Sequence, residues 1–132
     1  MTELEEQPPV PHQVCRVLLV EDEPAVREGI AVLLEIEPDL ALVGSAASAE
    51  EALLLVPELE PDLVLLDNRL EGVLTGVEAA PAFKQLAPAA TVLLCTAATE
   101  QEVEGHPGVD GYLCKDDLVS LPDAVRQARG KA

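Results

Sequence analysis

The sequence predicts an α/β fold in which helices pack around a parallel β-sheet. Apolar runs of strand length alternate with stretches of helical periodicity, which is the pattern of successive βα units. The runs are nearly continuous in apolar character, as expected for strands that are buried on both faces. Five strands are predicted, at Cys15–Val20, Leu40–Val43, Leu63–Leu66, Val92–Cys95 and Tyr112–Cys114.

Helix-start signals follow the first, second, third and fifth strands. Pro24 suits the first turn of a helix, and Ser120 is suited to cap the last one. Two other starts have the spacing of a capping box, namely Ser48 with Glu51 and Thr75 with Glu78. Pro81 lies inside the helix that follows Thr75, so we expect it to kink that helix or to displace its start.

The connection after the fourth strand is short. Thr99 and Glu102 could cap a fourth helix, but Gly105, Pro107 and Gly108 would end it within little more than a turn. The sequence therefore predicts a shortened fourth helix.

Length and composition indicate one domain. The chain has 132 residues, of which 48% are hydrophobic, which is enough for a single buried core. We expect residues 1–13, which are acidic and rich in proline, to form a disordered tail, residues 14–129 to form the domain, and residues 130–132 to form a short C-terminal tail. Because no apolar stretch approaches the roughly 20 residues that a membrane span needs, we predict a cytoplasmic protein without a membrane partner.

The charge is strongly acidic. There are 25 Asp and Glu residues against 8 Lys and Arg residues, and the formal net charge is -17, so the surface should repel nucleic acid and favour cations or basic partners. Cys15, Cys95 and Cys114 lie beside or inside apolar runs, and their spacing does not match a zinc site. We predict buried, reduced thiols.

Polar residues stand directly after four of the predicted strands. Glu21 and Asp22 follow the first strand, Asp67 the third, Thr96 the fourth and Lys115 the fifth. Since parallel strands end at the same edge of a sheet, these side chains should share one crevice. Carboxylates held close together repel one another unless a cation neutralises them, and an all-oxygen cluster suits Mg²⁺.

This set of residues fits phosphoryl transfer, which depends on positioning and on cations that stabilise the transferring group. Asp67 would be the nucleophile, because a carboxylate can form an aspartyl phosphate. Thr96 and Lys115 would contact the phosphoryl oxygens. Each residue alone is as readily explained as a cap, a turn former or a surface charge, so the hypothesis rests on their coincidence at one edge.

Four segments carry a family resemblance. VLLVEDEP, DLVLLDNRL, VLLCTA and GYLCKDD together resemble the receiver domains of response regulators, and the resemblance extends from Cys15 to Gln127. It implies a doubly wound, flavodoxin-like sheet with strand order 2-1-3-4-5. It also implies that a phosphohistidine on a sensor histidine kinase phosphorylates Asp67, that the phosphoryl group is then slowly hydrolysed, and that the chain is not a turnover enzyme.

The same resemblance implies roles for individual residues. Mg²⁺ would be bound by Asp22, Asp67 and the backbone carbonyl of Arg69, with Glu21 assisting through water. Thr96 and Lys115 would contact the phosphoryl group. The family's switch would be a movement of Thr96 toward phosphate, coupled to a rotamer change of Tyr112, although a strand tyrosine can equally be simply packed.

Departures from the family pattern affect the loop after Asp67 and the output. Glu71 stands where the family usually has proline and Gly76 comes one residue late, so this loop should be longer. Asp116 in CKDD resembles the subgroup joined to helix-turn-helix output domains. These 132 residues contain no such domain, so the chain could be a stand-alone regulator or a receiver cut from a longer protein. We expect a sensor histidine kinase as partner, an unknown downstream effector protein or output domain, and no direct nucleic-acid binding by this chain. A homodimer is left open.

Two rival functions remain at this point. The chain could be a receiver-like binding module that signals by contact without phosphorylation. It could also be a phosphatase or phosphotransferase that turns over an aspartyl phosphate, but such enzymes resemble DxDxT, whereas this chain has Asp67, Asn68 and Arg69.

Overall fold

The structure is a computed structural model that describes residues 14–97 and 105–130. Within these ranges, five parallel strands form one sheet in the order β2-β1-β3-β4-β5, which confirms the predicted fold class. The strands are β1 (Cys15–Val20), β2 (Leu40–Ala46), β3 (Leu63–Leu66), β4 (Thr91–Thr96) and β5 (Gly111–Cys114). The N-terminal tail and the fourth helix expected from Thr99 lie outside the described residues.

Helices cover both faces of the sheet. Their bounds are α1 (Pro24–Ile36), α2 (Ala49–Leu59), α3 (Gly76–Leu86) and a C-terminal helix (Leu121–Gly130). Alternate strand side chains point to opposite faces, so Leu19 packs in the core beneath α1 and the C-terminal helix, whereas Leu18 packs in the core beneath α2 and α3. The two cores therefore lie on opposite faces of the sheet.

The two predicted capping boxes form to different extents. Thr75 Oγ1 accepts a hydrogen bond from Glu78 N at 3.1 Å, and Glu78 Oε1 accepts one from Thr75 N at 2.9 Å, which completes a capping box. Ser48 Oγ accepts from Glu51 N at 3.1 Å, but the Glu51 carboxylate accepts from Ala47 N rather than from Ser48 N. The capping box at Thr75 is therefore confirmed, whereas only half of the predicted box forms at Ser48.

Pro81 does not displace the start of α3. The helix begins directly after Thr75 and continues through Pro81 to Leu86. Gly108, with φ of +83°, packs its backbone against this part of α3, where a Cβ would lie 2.8 Å from the Ala80 carbonyl carbon and 2.9 Å from Pro81 N. Because glycine has no Cβ, the backbone of Gly108 can approach α3 this closely.

Strand β2 is longer than predicted. It ends at Ala46 rather than at Val43, because its pairing with β1 shifts register between Val17 and Leu18, which pair with Leu42 and Gly44. The irregularity leaves Val43 as an extra residue in the outer strand, as in a β-bulge. The strand then continues to the edge where the acidic residues lie.

The chain enters the last helix through a 3₁₀ helix at Lys115–Ser120, which the periodicity did not predict. The Ser120 hydroxyl donates a hydrogen bond to Asp117 Oδ1 at 3.0 Å, so this hydroxyl is engaged within the 3₁₀ helix rather than in the expected cap.

Of the helices formed by the described residues, none combines the length and the apolar character that a bilayer crossing requires.

The thiols follow the prediction only in part. All three cysteines are free, and Cys15 and Cys95 are buried. Burial raises the pKa of the Cys15 thiol to about 11 and that of Cys95 to about 12, so both stay protonated near neutral pH. The prediction is wrong for Cys114, which is exposed because it is the last residue of the outer strand β5.

Candidate functional site

The predicted acidic residues converge at the carboxyl end of the sheet. Glu21 N donates to Ala46 O at 2.9 Å and Asp67 N donates to Val20 O at 3.0 Å, so hydrogen bonds from the ends of neighbouring strands hold both residues. Carboxylate oxygens of Glu21, Asp22 and Asp67 all lie within 4.8 Å of one another. Glu21 is 1% exposed and Asp67 is 4% exposed, whereas Asp22 is half-buried, so two of the three carboxylates lie beneath the surface.

Lys115 connects two of the three carboxylates. Its Nζ lies 2.9 Å from Asp67 Oδ2, and 3.0 and 3.2 Å from the two carboxylate oxygens of Glu21. The lysine stands at the first position after β5, across the sheet from β1 and β3. The structure therefore brings together residues that are up to 94 positions apart in the sequence.

Burial and pairing act in opposite directions on these charges. Burial raises the pKa of Glu21, and hydrogen bonds from Lys115 and from Glu23 N offset only part of that effect. Burial lowers the pKa of Lys115, but hydrogen bonds and charges from Asp67 and Glu21 outweigh it, so the net shift is upward. The protonated form of Lys115 is therefore stabilised, whereas the ionised form of Glu21 is not fully compensated for its burial.

The backbone directly after Asp67 turns back toward the Asp67 carboxylate. Arg69 N donates to Asp67 Oδ1 at 3.3 Å, and Asn68 O accepts from Gly76 N at 2.9 Å. Gly76 lies so close that a Cβ would collide with the Asp67 carbonyl oxygen and the Asn68 Cα. The Arg69 side chain is exposed, so the backbone of Arg69, and not its guanidinium, lies against the carboxylate.

Thr96 and Tyr112 occupy neighbouring strands. Thr96 is buried at the end of β4, where it is paired in register with Cys114. Tyr112 is half-buried against the core beneath α2 and α3, and its hydroxyl accepts a hydrogen bond from Gly105 N at 2.7 Å. The tyrosine is therefore packed along its ring and hydrogen-bonded at its tip.

Two residues near the site were not predicted. Arg27 Nη1 donates to the Glu21 carbonyl oxygen at 2.7 Å. Glu50 Oε2 accepts hydrogen bonds from Val73 N and Leu74 N, in the loop after β3. Proximity in the sequence offers a weak signal for Arg27, six residues after Glu21, but none for Glu50, whose partners are 23 and 24 positions away.

The donor set fits a magnesium ion. Three carboxylates supply hard oxygen ligands within the distance of a shared ion, and Mg²⁺ needs only one or two carboxylates when it keeps several waters. Glu21, Asp22 and Asp67 are the residues that would hold it. A divalent ion would also compensate the buried charge that Lys115 leaves unneutralised.

The family model of the response regulator receiver domain matches residues 17–126. The chain belongs to this family. The receiver is 37% identical over 122 residues to the uncharacterised transcriptional regulatory protein YxjL of Bacillus subtilis, a match that covers 89% of this chain and 56% of that protein. Receiver domains of this kind are signalling modules rather than turnover enzymes.

Solved structures agree with this assignment. A LuxR-family two-component response regulator from Aurantimonas sp. SI85-9A1 is 34% identical, with a TM-score of 0.81 over 89% of the receiver and 86% of that chain. A DNA-binding response regulator of the LuxR family from Staphylococcus aureus has a TM-score of 0.78 over 88% of the receiver and 99% of that chain. Its identity is 20%, so this second likeness supports the fold alone.

The expectation about partners is wrong. It set nucleic acid aside and left the downstream effector unknown, whereas relatives of the receiver are described as transcriptional regulatory proteins. The chain spans about half the length of the curated relatives it matches. Net charge describes the surface of the receiver itself, and it carries no information about an output domain joined to a receiver in a longer regulator.

Proposed function

We propose that the receiver accepts a phosphoryl group on Asp67 from a phosphohistidine of a sensor histidine kinase. The single observation that supports this most is the contact of Lys115 Nζ with Asp67 Oδ2 at 2.9 Å, inside a cluster of three carboxylates. An ionised carboxylate needs no general base to attack phosphorus. A bond forms between an Asp67 oxygen and phosphorus, and the phosphorus–nitrogen bond breaks with its electron pair returning to the imidazole.

The other residues of the site would stabilise the transferring group. Lys115 places a point charge beside the attacking carboxylate, and the Thr96 hydroxyl at the end of β4 would donate to a phosphoryl oxygen. Glu21, Asp22, Asp67 and the Arg69 carbonyl would hold Mg²⁺, with Glu21 acting through water. When bound, the ion supplies charge neutralisation at the phosphoryl oxygens.

The phosphorylated form would act as a switch. We propose that Thr96 moves toward the phosphoryl group and that Tyr112 then changes rotamer, which alters a protein-interaction surface. The hydrogen bond from Gly105 N to the Tyr112 hydroxyl supports a defined resting position from which that change starts. Slow hydrolysis at Asp67 would reset the switch, and the reaction would take place in the cytoplasm.

Intact-mass measurement tests the acceptor. Incubation with Mg²⁺ and phosphoramidate should add one phosphoryl group to the receiver, and Asp67→Asn should add none, because the amide is not a nucleophile. Asp123→Asn removes the same charge from an exposed position on the C-terminal helix and should be phosphorylated like the natural chain.

Two results would count against the assignment. Phosphate on Asp67→Asn at residue 67 would show that the site is wrong. An unchanged mass of the natural chain, beside an increased mass of a known receiver, would favour a module that binds without phosphorylation.

A further inference from the structure

The middle of the loop between Asp67 and Thr75 is hydrogen-bonded to a residue outside the loop. Its ends are fixed locally, by Arg69 N on Asp67 Oδ1 and by the capping box at Thr75. Between them, Glu50 in the first turn of α2 accepts hydrogen bonds at Oε2 from Val73 N at 2.9 Å and from Leu74 N at 2.8 Å. This contact is here called the Glu50 clasp.

The clasp is not the sole contact between this loop and the start of α2. An isolated parallel bridge also joins Ser48 to Glu71. Val73, at the tip of the loop, is 88% exposed, so burial of its side chain contributes little to the position of the loop. Leu70 and Leu74 on either side pack partly against the core beneath α2 and α3, so the exposed tip between them is the part that depends on polar contacts to the backbone.

The Glu50 side chain is closely fitted to the loop. Gly72 has φ of +95°, and a Cβ at this position would lie 2.5 Å from Glu50 Oε1. Backbone hydrogen bonds, from Glu50 N first and then from Leu74 N, lower the pKa of Glu50, so the clasp favours the ionised acid. Oε1 is buried without a hydrogen-bond partner among the described residues, which is unfavourable. The two hydrogen bonds from Val73 N and Leu74 N to Oε2 offset this loss.

We infer that Glu50 is a positioning residue for the phosphoryl-acceptor site, and that it acts by fixing the backbone between Arg69 and Leu74. This inference rests on the proposed function, in which the Arg69 carbonyl is a ligand of Mg²⁺. Glu50 does not touch the reacting atoms. It holds the part of the loop that follows Arg69, so that the carbonyl and the Asp67 carboxylate keep one arrangement.

Nuclear magnetic resonance can test both steps on the full chain. Hydrogen exchange of the Val73 and Leu74 amides reports the clasp, and a Mg²⁺ titration followed at the Asp67 and Arg69 amides reports the site. Glu50→Ala should expose both loop amides to exchange and raise the Mg²⁺ dissociation constant by on the order of tenfold, as loss of a residue supporting a metal ligand does. Glu50→Asp keeps the charge and suits a helix start but is one methylene too short, so it should behave like Glu50→Ala.

Two variants serve as controls. Glu50→Gln keeps a side-chain oxygen at the same reach and should recover most of the Mg²⁺ affinity. Glu58→Ala removes a negative charge from an exposed position on the same helix and should bind Mg²⁺ like the natural chain.

An unchanged dissociation constant in Glu50→Asp, together with faster exchange of the two amides, would overturn the inference, because the clasp would be broken without effect. An equal loss of affinity in Glu58→Ala would overturn it too, since net charge alone would then explain the result. Failure of the proposed function looks different: the natural chain would gain no phosphoryl group from phosphoramidate, whatever the Glu50 variants show.

Discussion

At the scale of single residues, Lys115 makes the buried acidic cluster tolerable. Glu21 and Asp67 are both almost fully buried, and each carboxylate contacts Lys115 Nζ within about 3 Å. Without a metal ion, Lys115 is the cation that compensates these charges among the contacts of the described residues. Its removal would leave buried charges unpaired, which costs far more than the loss of an exposed ion pair.

We therefore expect Lys115→Met to lower the free energy of unfolding by on the order of 2 kcal/mol in Mg²⁺-free buffer, less than for a fully buried pair because the lysine is partly exposed. Because folding raises the pKa of Lys115, its contribution is present below the ordinary lysine pKa of 10.5 and is lost as pH rises through the higher folded value. Urea denaturation at several pH values measures both effects. Arg69→Met, which removes an exposed cation from the same edge, should change stability by less than about 0.5 kcal/mol.

Tyr112 gives the switch a direct optical signal. The chain has one Tyr and no Trp, so its intrinsic fluorescence reports Tyr112 alone. Phosphorylation should change the tyrosine emission, because a new rotamer breaks the hydrogen bond from Gly105 N and moves the ring. Thr96→Ala should still accept phosphate with a much smaller change in emission, and an identical change in this variant would show that Thr96 does not couple the two events.

At the scale of elements, the sequence predicted what depends on local pattern. The strand starts at Cys15, Leu40 and Leu63 were correct, because short apolar runs that follow polar or turn residues mark the beginning of a strand. The end of β2 was missed, because the register shift beside Val17 depends on pairing with a neighbouring strand. The 3₁₀ helix after Lys115 was missed because it has no apolar periodicity of its own.

The same division applies to the candidate site. Asp67 and Lys115 could be predicted, because each directly follows a strand and the parallel sheet places strand ends together. Glu50 and Arg27 could not be assigned, because their acceptors and donors are backbone groups whose positions appear only after folding. Side chains that bind backbone leave no residue-type pattern at the other end of the contact.

Substitution by alanine should change stability in opposite directions at two helix glycines, Gly76 in a crowded position and Gly29 in an open one. Gly76 begins α3 against the Asp67 and Asn68 backbone, so Gly76→Ala should lower the free energy of unfolding by about 1–3 kcal/mol through steric overlap. Gly29 lies inside α1 and a Cβ there would meet nothing within 4 Å, so Gly29→Ala should raise it by about 0.5–1 kcal/mol.

Chemical denaturation of the two variants beside the natural chain provides the measurement. A gain of stability in Gly76→Ala would contradict the close contact between α3 and the acceptor loop.

At the scale of the whole molecule, the acidity has a general and a local part. The formal charge of -17 opposes compaction everywhere, and any salt relieves this repulsion by screening. The cluster of Glu21, Asp22 and Asp67 adds a local demand for a divalent cation, which screening by a monovalent salt does not meet. The two parts can be separated by comparing salts.

Mg²⁺ should stabilise the receiver more than Na⁺ at equal ionic strength. Binding to the folded state alone adds about 1.4 kcal/mol when free Mg²⁺ is roughly tenfold above its dissociation constant. Denaturation midpoints in MgCl₂ and NaCl measure the difference, which should shrink in Asp22→Asn and persist in Asp123→Asn. Equal stabilisation by the two salts would mean that screening alone acts and that the cluster does not bind the ion.

The irregular pairing of β2 has a consequence for behaviour in concentrated solution. An outer strand with a long, regular row of free N–H and C=O groups is a template on which another chain can add a strand and start an aggregate. Here the extra residue at Val43 interrupts that row on one side of the sheet, and the opposite outer strand, β5, is only four residues long. Both sides are therefore poor templates for β-aggregation, even though the strands between them are almost wholly apolar.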